Sequence, residues 1–252
     1  MKPPELRPWL QPTFDRLAEL TARPHYRPPA EEVGRIRSLT GGIALVDGLP
    51  SVGLDELVEL AEGALGMVMT LAPSRVGVVL LDPETSLQAG SRARRTGRVA
   101  DLPVGPPLLG RVIDPLGRPL DGGAALPAQP RAAVEAPAPA IMERAPVNRP
   151  LQTGIKVVDA LLPIGRGQRE LIVGDRQTGK TSLALDAILH QKGSGVVCVY
   201  CSVGQRDSGV ARVLAELRQS GAFDYSCLVV AASEDPPGLR FLAPYAATSV
   251  AE

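Results

Sequence analysis

Apolar and polar positions alternate differently in three stretches of the chain. Residues 1–29 are Pro-rich, with one short helical pattern near Phe14, Leu17 and Leu20. They predict an arm that packs on something else. Over 30–101, short apolar runs alternate with turn signals. The runs are 43–46, 66–69 and 76–81, punctuated by Gly41-Gly42, Asp47-Gly48 and Asp82-Pro83. Strands at that spacing predict a small, closed or sandwiched β domain, read here as a β-barrel. From about 102 onward the pattern changes again. Segments 109–113 and 116–122 read as a hairpin, and the Ala/Pro-rich stretch 124–140 as an extended segment lying across the domain surface. A helix near 157–161 follows, then an apolar strand, Leu171-Ile172-Val173. Next come a helix with Leu185, Ile188 and Leu189 on one face and Gly193 as its C-cap, a strand over 196–202, and a helix near 210–217 closed by Gly221. A strand over 228–232 and a helix near 241–250 complete the chain. Strand and helix in alternation predict a parallel sheet with crossover helices. The expected organisation is an arm (1–29), a β-barrel (30–101) and an α/β domain (102–252) whose sheet looks incomplete at its C-terminal end.

The junction of that first apolar strand and helix carries the chemistry. Gly174-Asp175-Arg176-Gln177-Thr178-Gly179-Lys180-Thr181 matches G-x-x-x-x-G-K-[ST] in full, between strand and helix as a phosphate cradle requires. Backbone N–H groups of the loop and first helical turn point at phosphates. Gly174 and Gly179 permit backbone angles and close approach that a Cβ would block. Lys180 reaches the terminal phosphates, and the Thr181 hydroxyl is the candidate Mg²⁺ ligand.

A nucleotide hydrolase needs two more features, and neither is evident. One is an apolar strand ending in a metal-holding Asp. Strand 196–202 runs into Val203-Gly204-Gln205, and strand 228–232 into Ser233-Glu234-Asp235, where Asp235 lies too far past the strand. The other is a general base. The position after the second strand is Gln205, an amide that orients water but accepts no proton at neutral pH.

Composition narrows the remaining classes. Formal net charge is zero, so no strong field draws the chain to nucleic acid or an acidic membrane. Among 27 basic residues only Lys2, Lys156, Lys180 and Lys192 are lysines, a bias typical of GC-rich bacterial genomes. The cluster Arg92, Arg94, Arg95 and Arg98 reads as a solvated strand face or an interface, because aromatic residues for base stacking amount to 3%. Cys198 and Cys201 form a C-x-x-C, but inside a strand their side chains face opposite ways, so they cannot easily share a metal. His25 and His190 are isolated. No apolar run approaches the roughly 20 residues of a membrane helix.

Residues 163–173 leading into the phosphate loop closely resemble the alpha subunit of F-type ATP synthases. So do 152–159, 108–112 and Leu242-Ala243-Pro244-Tyr245. The D-R-Q-T-G-K-T loop is of alpha type. The resemblance is strong from about 102, weaker over the barrel and absent in the arm. It implies a β-barrel followed by a RecA-like nucleotide domain. It also implies a non-catalytic site for Mg²⁺ with ATP or ADP, and alternation with beta subunits in a hexamer joined to central and peripheral stalk subunits. The membrane is reached only through that complex, on the cytoplasmic face of the bacterial inner membrane. Gln205 fits, standing where catalytic relatives carry Glu. No residue of this chain is expected to be catalytic. The alternatives are an RNA-translocating hexamer resembling the Rho termination factor, a secretion or flagellar ATPase, which the loop type and Gln205 disfavour, and a fragment that keeps only a nucleotide-binding shell.

Overall fold

The computed structural model describes residues 10, 12–16, 31–84, 87–127 and 130–252. The chain divides into two compact units, residues 1–32 and 33–252. In the first, 12–16 are helical and include Phe14; Leu17, Leu20 and His25 lie outside the described residues.

The second unit opens with six antiparallel strands. They are β1 (Val33–Thr40), β2 (Ile43–Asp47), β3 (Glu56–Leu60), β4 (Leu65–Ala72), β5 (Arg75–Leu80) and β6 (Arg92–Val99). They close into a barrel in the order β1-β2-β5-β4-β3-β6. Alternate residues point inward, so Ile36, Ala44, Val46, Val58, Val78 and Leu80 fill the interior. The arginine cluster lies on β6. Arg94 pairs with Glu59 at 2.6 Å, Arg95 with Glu56 at 3.0 Å and Arg98 with Asp101 at 2.8 Å. Each of these three guanidiniums is thus paired with a carboxylate.

The rest of the unit runs β7 (Asp101–Pro103), β8 (Arg111–Ile113), β9 (Arg131–Ala133), β10 (Pro150–Leu151), α1 (Lys156–Leu161), β11 (Ile164–Gly165), α2 (Lys180–Leu189), β12 (Cys198–Gln205), α3 (Asp207–Ser220), β13 (Ser226–Ala232) and α4 (Pro237–Ala251). Strands β12, β13 and β8 form a parallel sheet in that order. Six of the seven residues of β13 are buried, as a strand covered on both faces requires. Leu228 and Val230 pack with Leu185 of α2 and Val213 and Leu217 of α3. Cys227 and Val229 face the other way, toward Leu242 and Ala246 of α4 and toward Leu57, Met67 and Leu81 from the barrel side.

The described residues of 124–140 hold one short strand, β9, and otherwise no helix or strand. That strand pairs with β7, and Ser249 of α4 donates to the carbonyls of Ala133 and Val134, both at 3.0 Å. The two cysteines of the C-x-x-C do face opposite sides: Cys201 packs with Val199 against one core, and Tyr200 against the other. Burial pushes the Cys201 thiol up to about 11 and that of Cys227 to about 12. These are inert, structural cysteines. Among the described residues no group of three or more His, Cys, Asp or Glu could hold a metal ion. No described helix is long and apolar enough to cross a membrane.

Three local expectations are adjusted. The 109–122 hairpin is short, with one antiparallel bridge, Ile113 to Pro119, and backbone bonds from Asp114 N–H to the Arg118 carbonyl at 2.9 Å and from Leu120 N–H to the Val112 carbonyl at 2.8 Å, while β8 also pairs with β13. Helix α2 ends at His190, before Gly193. There the Gln191 amide donates to the Ala187 carbonyl at 3.1 Å and to Gln152 at 2.8 Å, which supplies the cap early. Leu171-Ile172-Val173 does not form a strand. A strand exists through its ladder, and no described strand runs beside it. Leu171 is 85% and Val173 79% exposed.

Candidate functional site: the phosphate loop and its cleft

The loop is shaped by two left-handed residues and one threonine. Gln177 has φ 64° and Gly179 φ 89°, which turns the chain sharply into α2. The Thr178 hydroxyl donates to the Asp175 carbonyl at 2.9 Å and closes the turn. Gly179 is the N-cap, and no side chain caps the helix. The first intrahelical bond runs from Leu183 N–H to the Gly179 carbonyl at 3.0 Å. The N–H groups of the first turn are therefore left without an intrahelical acceptor, at the positive end of the helix dipole. That is an anion site in want of an acceptor.

Lys180 sits in this turn. Its ammonium donates to the Gly174 carbonyl at 2.8 Å and to the Asp175 carbonyl. Carbonyl dipoles hold the charge over the loop until a stronger anionic partner competes for it. The Thr181 hydroxyl makes no hydrogen bond among the described residues, so its lone pairs are free for a cation. Asp175 contributes its carbonyl to the loop.

A cleft of about 420 Å³ opens beside the loop, lined by Gln177, Thr178, Gly179, Lys180 and Thr181 on one side. Gly174, Asp175 and Arg176 do not line it. Across it stands Gln205. Its placement comes from an irregularity in β12. The register with β13 shifts between Val203 and Gln205, where Gly204 adopts φ 64°. Such a bulge inserts one extra residue and reverses which way the next side chain points. Gln205 thereby joins the face of Tyr200, and the two side chains are hydrogen-bonded. Burial raises the Tyr200 phenol, and the Gln205 bond opposes that shift. Asp235 does not line the cleft; its carboxylate accepts from Ala232 N–H at 2.6 Å and closes the turn after β13.

Helix α3 supplies the wall that sequence reasoning missed. Gly209, Arg212, Val213 and Glu216 line the cleft. Their spacing of three, four and seven is one helical face, and that spacing was the available signal.

Residues 154–252 match the ATP synthase alpha/beta family, nucleotide-binding domain. The chain is 50% identical over 247 residues to ATP synthase subunit alpha 1 of Pseudoalteromonas atlantica, covering 98% of this chain and 47% of that protein. It is 58% identical over 221 residues to ATP synthase subunit alpha 2 of Polaromonas naphthalenivorans, covering 88% and 42%. Against ATP synthase subunit alpha 1 of Chlorobium luteolum it is 57% identical over 221 residues, 88% and 43%. The chain thus spans about half the length of the curated relatives it matches. The alignment to the first of these relatives extends over 98% of the chain, and those to the other two over 88%. With the loop, the cleft and these relatives in agreement, the chain belongs to the ATP synthase alpha/beta family, carries that family's nucleotide-binding domain over 154–252, and is related to its alpha subunits along most of its length.

Proposed function

We propose that this chain binds Mg-ATP or Mg-ADP without hydrolysing it, as an alpha-type subunit of a proton- or sodium-translocating F-type ATP synthase. The observation that carries this reading is the pairing of an uncapped helix N-terminus and Lys180 with Gln205 across the cleft. The first two receive a polyphosphate. The third stands where hydrolysis would need a base, and a neutral amide cannot take a proton there.

In this reading the loop residues 174–181 cradle the phosphates, and Gln177 to Thr181 present the lining groups. Thr181 would hold Mg²⁺, which when bound neutralises phosphate charge. The divisions 1–29, 30–101 and 102–252 serve as arm, barrel and nucleotide domain. The subunit alternates with beta subunits in a hexamer, contacts the central and peripheral stalks, and meets the membrane only through the complex, on the cytoplasmic face.

Titration calorimetry with Mg-ATP and Mg-ADP, alongside a phosphate-release assay, tests this. Saturable binding with no appreciable turnover is expected. Robust turnover abolished in Gln205→Ala would overturn the non-catalytic assignment.

A further inference from the structure

Arg212 is a cation the phosphate loop motif does not account for. It sits on α3, across the cleft from Gln177 to Thr181. The rotation of α3 is fixed by Val210, Val213 and Leu217, which are buried against Leu185, Leu228 and Val230. Arg212 lies off that buried face and lines the cleft. Gly209, one turn earlier, carries no side chain to obstruct it, and the nearest atom its Cβ would meet is Gln205 Oε1 at 3.6 Å. The Gln205 and Arg212 positions therefore share one side of the cleft.

Arg212 is exposed and makes no hydrogen bond or ion pair among the described residues. The one acidic side chain on the same cleft wall is Glu216, one turn further along α3, and the two are not paired. A basic residue four positions before an acidic one is the weaker orientation for a helical pair. Other arginines of the chain that face carboxylates do pair with them: Arg95 with Glu56, Arg111 with Asp121, Arg118 with Asp82. The Arg212 guanidinium lines a site built for anions with no carboxylate partner to neutralise it, and its planar fork matches phosphate oxygens.

We propose that Arg212 is a specificity-determining residue of the nucleotide site, placing a second positive charge on the terminal phosphate and so favouring triphosphate over diphosphate. The inference rests on the phosphate-loop reading above and adds to it. Lys180 serves both nucleotides from the loop. Arg212 approaches from the Gln205 side and makes its full contribution only when a third phosphate is present. Charge-assisted hydrogen bonds to phosphate are about twice as strong as neutral ones, which sets the expected scale.

The test is calorimetric titration of the full chain with Mg-ATP and with Mg-ADP, for the parent, Arg212→Ala, Arg212→Lys and Lys180→Gln. Arg212→Ala should weaken ATP about tenfold and ADP less than about threefold, with Arg212→Lys in between. Because Arg212 is exposed, its two variants should keep the parent's thermal unfolding temperature, and a ratio of two affinities is insensitive to partial misfolding. Equal weakening of both nucleotides, or no change in either, overturns the role of Arg212. In that case strong loss in Lys180→Gln still leaves the phosphate loop intact. A parent that binds neither nucleotide overturns both.

Discussion

Lys180 holds two carbonyl oxygens of its own loop. In the proposed site a phosphate would displace these, because an anion competes better than a dipole for an ammonium. Lys180→Gln removes the charge while keeping a donor, and should weaken Mg-ATP by about 1.5–3 kcal/mol in calorimetry. Unchanged affinity would remove the loop from the site. Away from the site, the best-held carboxylate is Asp121. The Arg111 guanidinium donates to it twice, at 2.6 and 3.0 Å, and the N–H groups of Val112 and Gly123 add two more bonds. Arg111 foremost, against the opposing effect of burial, holds this carboxyl well below the usual carboxylate range. A depressed folded-state value stabilises the fold above the unfolded value, near pH 4, and that stability is lost as pH falls through the lower folded value. Asp121→Asn should therefore cost about 3 kcal/mol at neutral pH, and urea titrations should show the difference from the parent shrinking below about pH 4. A constant difference from pH 7 to 3 would contradict the assignment. At this scale the sequence marks candidates wherever the signal is local. Lys180, Thr181 and Gln205 stood out because a contiguous motif or a strand end marks them. Arg212 did not, because it becomes a cleft residue only when α3 docks on β12 and β13.

Elements form where their own pattern and a neighbour agree. Ser226–Ala232 is a strand because both faces are apolar and β12 and β8 flank it. Leu171-Ile172-Val173 is also apolar but has no described flanking strand, and it stays open. Periodicity reports which residues want burial; it does not report whether a partner strand lies alongside, which is why that strand was expected and is not formed. The difference is measurable by hydrogen exchange. Amides at 171–173 should exchange within the fastest class, while those at 198–203 and 227–231 exchange with global unfolding. Equal protection in the two regions would mean that 171–173 is paired in solution. The bulge in β12 is also invisible to periodicity. It depends on Gly204 at φ 64°, a conformation that an L side chain adopts only with strain. Gly204→Ala should destabilise the chain by about 1–2 kcal/mol. It should also weaken nucleotide binding by turning Gln205 away from the cleft. Loss of stability with unchanged affinity would separate the bulge from the site.

The barrel and the parallel sheet are not independent bodies within residues 33–252. One apolar core runs through both, joining Leu57, Met67 and Leu81 to Leu102, Ile113, Val229 and Leu242. Polar groups reinforce the seam. Arg118 bonds Asp82 at 2.6 Å and approaches Asp114 at 3.4 Å, while Asp82 also accepts from Leu65 N–H at 2.8 Å. Burial raises Asp114 above the ordinary carboxylate value, with hydrogen bonds from Arg118 and Leu116 N–H opposing it. The tightest point is Gly238, at the start of α4. A Cβ there would stand 2.4 Å from the Leu80 carbonyl oxygen and 2.9 Å from a Leu81 methyl. Only glycine lets the helix lie this close to the end of β5, and a backbone carbonyl in a closed barrel cannot retreat as a flexible side chain can. Gly238→Ala therefore forces α4 and the barrel apart and should cost about 1–3 kcal/mol. Since α4 packs on the sheet as well, the loss should appear in both parts together. Scanning calorimetry of the parent should give one cooperative transition, and the variant one transition at lower temperature. Two resolved transitions in the parent, or a shift confined to one of them in the variant, would show that the shared core does not couple the two folds.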